Sequence, residues 1–187
     1  MIYDEGSTVV QIAKMKKKTA IVYELLPAKP ERELFCQIIR ILRKEFRAAN
    51  FEPHLTLFVT TGKQKSPKKI LQQFRSGPIR LKVRGVAFSA KFTKTLFVRF
   101  QSSPALKRLA TDLGSVVGLS VSAPKDPHVS LVYQKIPRRV KKALAKIIKL
   151  PFGSVRFDSI AAVRLTLPVR TGSNITKWRM VAKQRLR

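Results

Sequence analysis

The chain has two histidines, His54 and His128, and each stands second in nearly the same pentapeptide, PHLTL at residues 53–57 and PHVSL at residues 127–131. On a β-strand, residues i and i+2 point to one face. His54 then shares a face with Thr56, and His128 with Ser130, while Leu55, Leu57, Val129 and Leu131 face a core. Two such strands side by side would surround one cleft with two imidazoles and two hydroxyls. That set suits a phosphodiester. A neutral imidazole can take a proton from water while an imidazolium protonates the departing oxygen. The hydroxyls can donate to phosphoryl oxygens where charge grows in the transition state. The sequence has no HExxH and no cysteine cluster, and only three acidic residues follow Phe51 besides Glu52, so the expected chemistry needs no metal or other cofactor.

Strands and helices must hold these motifs. A strand is expected over about 19–26, stopped by Pro27 and Pro30, and a helix over 31–49 from the spacing of Leu34, Ile38, Ile41, Leu42 and Phe46. After the first motif strand, PKKILQQFR at 67–75 reads as a helix with Ser66 as N-cap and Pro67 at its first position. Strands follow at 79–89 and 94–101, joined by a hairpin. The second half repeats the order with an offset of 74 residues: a helix at 103–117 opened by Ser103 and Pro104, the second motif strand, and a basic amphipathic helix at 137–149. Strands at 153–158, 160–168 and 176–185 close the chain, with VRTGSN as a turn between the last two. Residues 1–18 read as a flexible lead-in ending in Lys16–Lys18, and 19–187 as one α+β domain with an internal two-fold repeat.

Charge narrows the partners. Thirty-nine Lys and Arg against ten Asp and Glu give a net of +29, and residues 53–187 alone carry +26. Such a field attracts polyanions and releases counterions when it binds nucleic acid. The helix at 137–149, with Arg138, Arg139, Lys141 and Lys142, directly follows the second motif and is the expected contact for an RNA backbone. Phe58, at i+4 from His54, reads either as core filler or as a wall for a base or ribose. Trp178 reads as a core or edge anchor, Tyr133 as pointing away from His128, and Cys36 as inert. With 44% apolar residues, one cysteine and no apolar run of membrane-spanning length, a monomeric cytoplasmic protein is expected, not secreted and without a membrane partner.

The paired elements His54-Leu55-Thr56-Leu57 and His128-Val129-Ser130-Leu131 resemble the tandem signature of the 2H phosphoesterase superfamily, which includes cyclic phosphodiesterases and the enzymes called 2′-5′ RNA ligases. The resemblance spans about residues 19–185. It implies a bilobal fold of two antiparallel sheets flanked by helices, with the cleft between the motif strands. It also implies metal-independent hydrolysis of a 2′,3′-cyclic phosphate on RNA or a nucleotide, usually to a 2′-phosphate. By position, His54 and His128 inherit the catalytic roles, and Thr56 and Ser130 the phosphate contacts. The motif does not fix which histidine is acid and which base; family analogy makes His54 the proton donor and His128 the base that activates water. Nucleotide or ADP-ribose cyclic phosphates, or RNA-end binding without turnover, are the competing expectations.

Overall fold

The computed structural model describes residues 17–62 and 65–187; the lead-in expected at 1–18 therefore lies outside the described residues up to Met15 and Lys16. In chain order the elements are β1 (Lys18–Pro27), α1 (Glu31–Phe46), β2 (Leu55–Thr61), α2 (Pro67–Gln73), β3 (Ile79–Phe88), β4 (Leu96–Phe100), α3 (Pro104–Val117), β5 (His128–Val132), α4 (Arg138–Ile147), β6 (Ser154–Leu167), α5 (Gly172–Ile175) and β7 (Arg179–Arg185). A short 3-10 turn, Phe92–Lys94, sits in the β3–β4 connection.

All strand pairs are antiparallel, as the α+β expectation requires. The two expected sheets are not separate. Their strands run in the order β1-β2-β5-β4-β3-β6-β7, and β6 pairs with β1 as well. The separate strands expected at 153–158 and 160–168 are one 14-residue strand. Its first residues pair with β3, and from Phe157 onward it pairs with β1. One uninterrupted strand thus belongs to both halves, because the backbone stays extended through Ser159, where a break between two strands was expected. The β6–β7 connection, in contrast, is more than a turn: Thr171 opens α5 with a reciprocal capping box to Asn174.

Helices α1 to α4 contribute side chains to one core against this sheet. α3 is closed at both ends: Ser103 accepts from the Leu106 amide at 3.1 Å, Pro104 follows it, and Gly118 ends the helix at φ 83°, a left-handed conformation that suits glycine. Ser66 precedes α2 as expected but makes no capping hydrogen bond with its side chain. α1 turns a stripe of Phe35, Ile39 and Leu42 to the core and leaves Ile41 66% exposed. The stripe is therefore rotated from the Leu34/Ile41 reading. Phe35 and Leu42 meet Leu55, Leu57, Val129 and Leu131 in one core with Phe157 and Leu106. The motif strands are anchored from behind by side chains that are at most 3% exposed, and the opposite face of each is free to carry chemistry. Among the described residues no helix is long and apolar enough to cross a membrane.

Candidate active site

β2 and β5 touch through one register pair, Leu55 with Val129. Both leucine and valine point into the core, so their neighbours point out of it. In an antiparallel ladder this pairing sets position 54 opposite 130 and position 56 opposite 128. Each histidine therefore comes beside the hydroxyl of the other motif. His54, Thr56, His128 and Ser130 line one cleft of about 430 Å³, whose far wall is apolar, with Val163, Leu165 and Val169 among its residues.

Both imidazoles are fixed the same way. His54 Nδ1 lies 2.7 Å from the Glu52 carbonyl and His128 Nδ1 lies 2.8 Å from the Asp126 carbonyl. A carbonyl only accepts, so in each ring Nδ1–H donates and Nε2 is left for the cleft. The proline between acceptor and histidine restricts the backbone that makes this short loop-back. The repeat therefore extends two residues upstream of each histidine, to Glu52 and Asp126, again 74 apart.

A second shared feature lies downstream. β2 has Thr56 paired with Glu24 and Phe58 with Tyr23, so Leu57 is an extra residue, a β-bulge. β5 has Ser130 paired with Phe97 and Val132 with Leu96, so Leu131 is bulged as well. Strict alternation ends at each bulge. Phe58 and Val132 turn into the core, Phe58 with its ring 5.2 Å from that of Tyr23. Val59 and Tyr133 turn into the cleft. The reading of Phe58 as a cleft wall is thus corrected, and so is the reading of Tyr133. The Tyr133 hydroxyl lies 3.4 Å from His54 Nε2, and burial raises its pKa well above the usual phenol range.

The electrostatic settings of the two rings differ. His54 Nε2 faces the carboxylate of Glu24 at 3.7 Å, in a pair only 7% and 4% exposed. Burial pushes the Glu24 carboxyl up, the His54 charge opposes that, and Glu52 adds to it. His128 instead has both Lys94 and the Asp126 carboxylate acting on it. Burial first, and Lys94 and His54 besides, hold its pKa below the ordinary 6.5 against the pull of the Asp126 carbonyl. Lys94 and Arg99 both pair with the Asp126 carboxylate, Arg99 at 3.0 Å. Burial works against ionisation of Asp126, yet these two cations hold its carboxyl below the usual range. Ser130 donates to the Thr93 carbonyl at 3.2 Å, so its hydroxyl must rotate to reach a ligand.

Trp178 also lines the cleft, just before β7 rather than within it. Its ring centroid is 5.9 Å from that of His54 and 5.6 Å from that of Tyr133, and its buried Nε1–H has no hydrogen-bond partner among the described residues. Glu24, Tyr133 and Trp178 were missed from sequence as cleft residues. The bulge at Leu131 brings Tyr133 there, and Trp178 follows α5 in the β6–β7 connection. The basic helix is placed elsewhere. None of α4 lines the cleft. Lys141 is 8% exposed, donates to the Ser89 carbonyl at 2.6 Å and lies 5.9 Å from the Phe88 ring centre, so it is corrected from a backbone contact to a structural group. Arg138, Arg139 and Lys142 are exposed. Cys36 is half-buried, and burial raises its thiol pKa. Among the described residues no group of three or more His, Cys, Asp or Glu is gathered as a metal site.

Comparison with known proteins bears on the family and the fold. A family model described as the 2′-5′ RNA ligase superfamily matches residues 28–167. A protein of Arabidopsis thaliana named cyclic phosphodiesterase is 26% identical over 131 residues, covering 67% of this chain and 71% of that protein. Among solved structures, apo LigT of E. coli superposes with a TM-score of 0.53 at 18% identity, over 92% of this chain and 99% of LigT. LigT complexed with 3′-AMP gives 0.51 at 15% identity, over 90% and 98%. The family model takes in both histidine motifs and most of the sheet that carries them, and the chain belongs to the 2′-5′ RNA ligase superfamily of 2H phosphoesterases.

Proposed function

We propose that the protein is a metal-independent phosphodiesterase that opens a 2′,3′-cyclic phosphate at an RNA end to a 2′-phosphate. The observation that carries this reading is the paired tautomer lock. Two imidazoles with Nδ1–H spent on carbonyls offer two Nε2 atoms to one cleft, the minimum set for acid and base on opposite sides of a phosphorus. In the forward step, His128 takes a proton from water as its oxygen bonds to phosphorus. The bond from phosphorus to the 3′ oxygen breaks, and His54 delivers a proton to that oxygen. Thr56 and Ser130 donate to the non-bridging oxygens as their charge grows. With a 5′-hydroxyl in place of water, the same groups join two ends as a 2′-5′ linkage: the hydroxyl gives its proton to His128 as its oxygen bonds to phosphorus, and the 3′ oxygen leaves with a proton from His54.

Two further observations bear on the substrate. The apolar wall together with Tyr133 and Trp178 suits a nucleoside, whose base stacks on aromatic rings. The net +26 of residues 53–187 suits the polyanion that continues from an RNA end and is unnecessary for a mononucleotide. The similarity to a protein named cyclic phosphodiesterase supports the same bond type.

The test uses three substrates in EDTA: an RNA oligomer ending in a 2′,3′-cyclic phosphate, 2′,3′-cyclic AMP, and ADP-ribose 1″,2″-cyclic phosphate. Turnover of the oligomer in preference to the others, abolished in His54→Ala and in His128→Ala, is the expected result. Preference for a small cyclic phosphate would move the substrate to a nucleotide or ADP-ribose. RNA binding with no turnover of any of the three would make the protein an RNA-end-binding module.

A further inference from the structure

Glu24 lies outside both histidine motifs, and its carboxylate is almost wholly buried, with the residue 3% exposed. A buried carboxylate is costly unless something compensates its charge. Among the described residues no hydrogen bond is donated to it, and the group facing it is His54, with Oε2 3.7 Å from Nε2. That separation is an ion-pair contact rather than a hydrogen bond. The carboxylate is placed there by the ladder: Glu24 is the β1 partner of Thr56, at the residue where the β2 bulge begins. His128, in contrast, has Lys94 and Phe97 around its ring, and the carboxylate that acts on it, Asp126, is itself paired with Lys94 and Arg99.

The pair has two exposures. Glu24 and His54 line the main cleft, and both also line a side chamber of about 200 Å³ with Asn50, Glu52, Thr176 and Trp178. A ligand in the main cleft leaves that chamber as a second approach to the pair. The other titratable groups that act on it are Glu52, which opposes ionisation of Glu24 and is itself paired with Arg32 at 2.6 Å, then Tyr133 and His128. β6 contributes only Val163 here, and the β7 side contributes Trp178 and Met180.

We propose that Glu24 is a positioning residue that assigns the two histidines their roles, holding His54 as the imidazolium that protonates the leaving ribose oxygen and leaving His128 to take the proton of water. The inference rests on the cyclic phosphodiesterase reading for its consequence, though the pair itself does not depend on turnover. Each turnover moves one proton from His54 to the leaving oxygen and one from water to His128. Resetting the site needs a proton at His54 and the loss of one at His128. The side chamber gives His54 a route for this that bypasses bound product.

The test is Glu24→Gln, which keeps the shape and removes the charge, with Glu24→Asp as the conservative variant. In the ligand-free protein, NMR titration of the two imidazoles reads the pair without any substrate. The His54 ring signals are expected to respond to pH differently in Glu24→Gln than in the wild type, changing at lower pH, while those of His128 move less. In turnover of the RNA oligomer, the alkaline limb of kcat/KM is expected to shift to lower pH, with a loss of about 10-fold near pH 8 that shrinks as the pH falls. Glu24→Asp is expected to recover part of both. A merely structural role predicts a loss that acid does not rescue. An unchanged His54 titration in Glu24→Gln overturns the inference, as does a loss of equal size at every pH. If the wild type turns over no cyclic phosphate and the His54 titration still moves, the pair stands and the substrate reading fails.

Discussion

Leu55 and Val129 form the one register pair between β2 and β5, and that pair sets the two histidines facing a common space. Neither side chain touches solvent; both are 0% exposed. Their positions fix the alternation: with 55 and 129 inward, 54, 56, 128 and 130 face outward. The core and the active site are therefore two sides of one packing decision.

Truncating that pair should damage both sides at once. Leu55→Ala is expected to destabilise the fold by about 2–5 kcal/mol, the range for a buried leucine whose cavity collapses incompletely. Val129→Ala should cost somewhat less. Denaturant melts measure the stability loss. Activity measured well below the melting point should fall further than the folded fraction does, because the Nε2–Nε2 geometry depends on the same contact.

The hydroxyls should separate by environment. Thr56→Ala and Ser130→Ala are each expected to lower kcat by about 10- to 1,000-fold with a small change in KM, the mark of groups that act mainly on transition-state charge. Ser130→Ala should show the smaller loss, since its hydroxyl already donates to the Thr93 carbonyl and must leave that bond to help. Steady-state kinetics on the cyclic-phosphate oligomer decides. A larger loss for Ser130→Ala would make the Thr93 contact a resting arrangement without energetic weight.

What the sequence made legible was the local chemistry. The i, i+2 rule put imidazole and hydroxyl on one face at each motif, and capping residues located α3 to the residue. It failed at Leu57 and Leu131, where one inserted residue per strand swaps the facing of everything downstream. Phe58 went to the core and Tyr133 to the cleft for that reason alone. It failed also at Glu24, because a single acidic residue in an apolar strand has no neighbour in sequence that reveals its partner 30 positions away. Lys141 was indistinguishable from Lys142 until packing showed that one of them reaches back to Ser89.

The last case gives a clean contrast within one helix. Lys141→Ala is expected to lower stability by about 1–3 kcal/mol, since it leaves the Ser89 carbonyl without its donor and removes a buried stem. Its effect on RNA affinity should be small. Replacing exposed Arg138, Arg139 and Lys142 together by alanine should leave the melting temperature nearly unchanged. If those three meet RNA phosphates, affinity falls and the slope of log K against log salt drops by up to about 3. An unchanged slope would place the strand on another basic face.

Protonation of His128 should leave a trace in stability. Burial and the nearby Lys94 hold its pKa below the ordinary 6.5. Between the folded value and 6.5 the unfolded chain binds more protons than the folded one, so stability rises with pH across that window. The contribution is complete above about pH 6.5 and is lost as the pH falls toward the folded value. In His128→Asn the wild-type loss of stability between pH 7.5 and pH 5.5 should shrink. Urea melts of the two proteins at both pH values give the comparison directly. Equal losses in both would show that the acid sensitivity comes from other groups and that His128 is as easily charged in the fold as outside it. The neutral ring this predicts near pH 7 is the form that can take a proton from water.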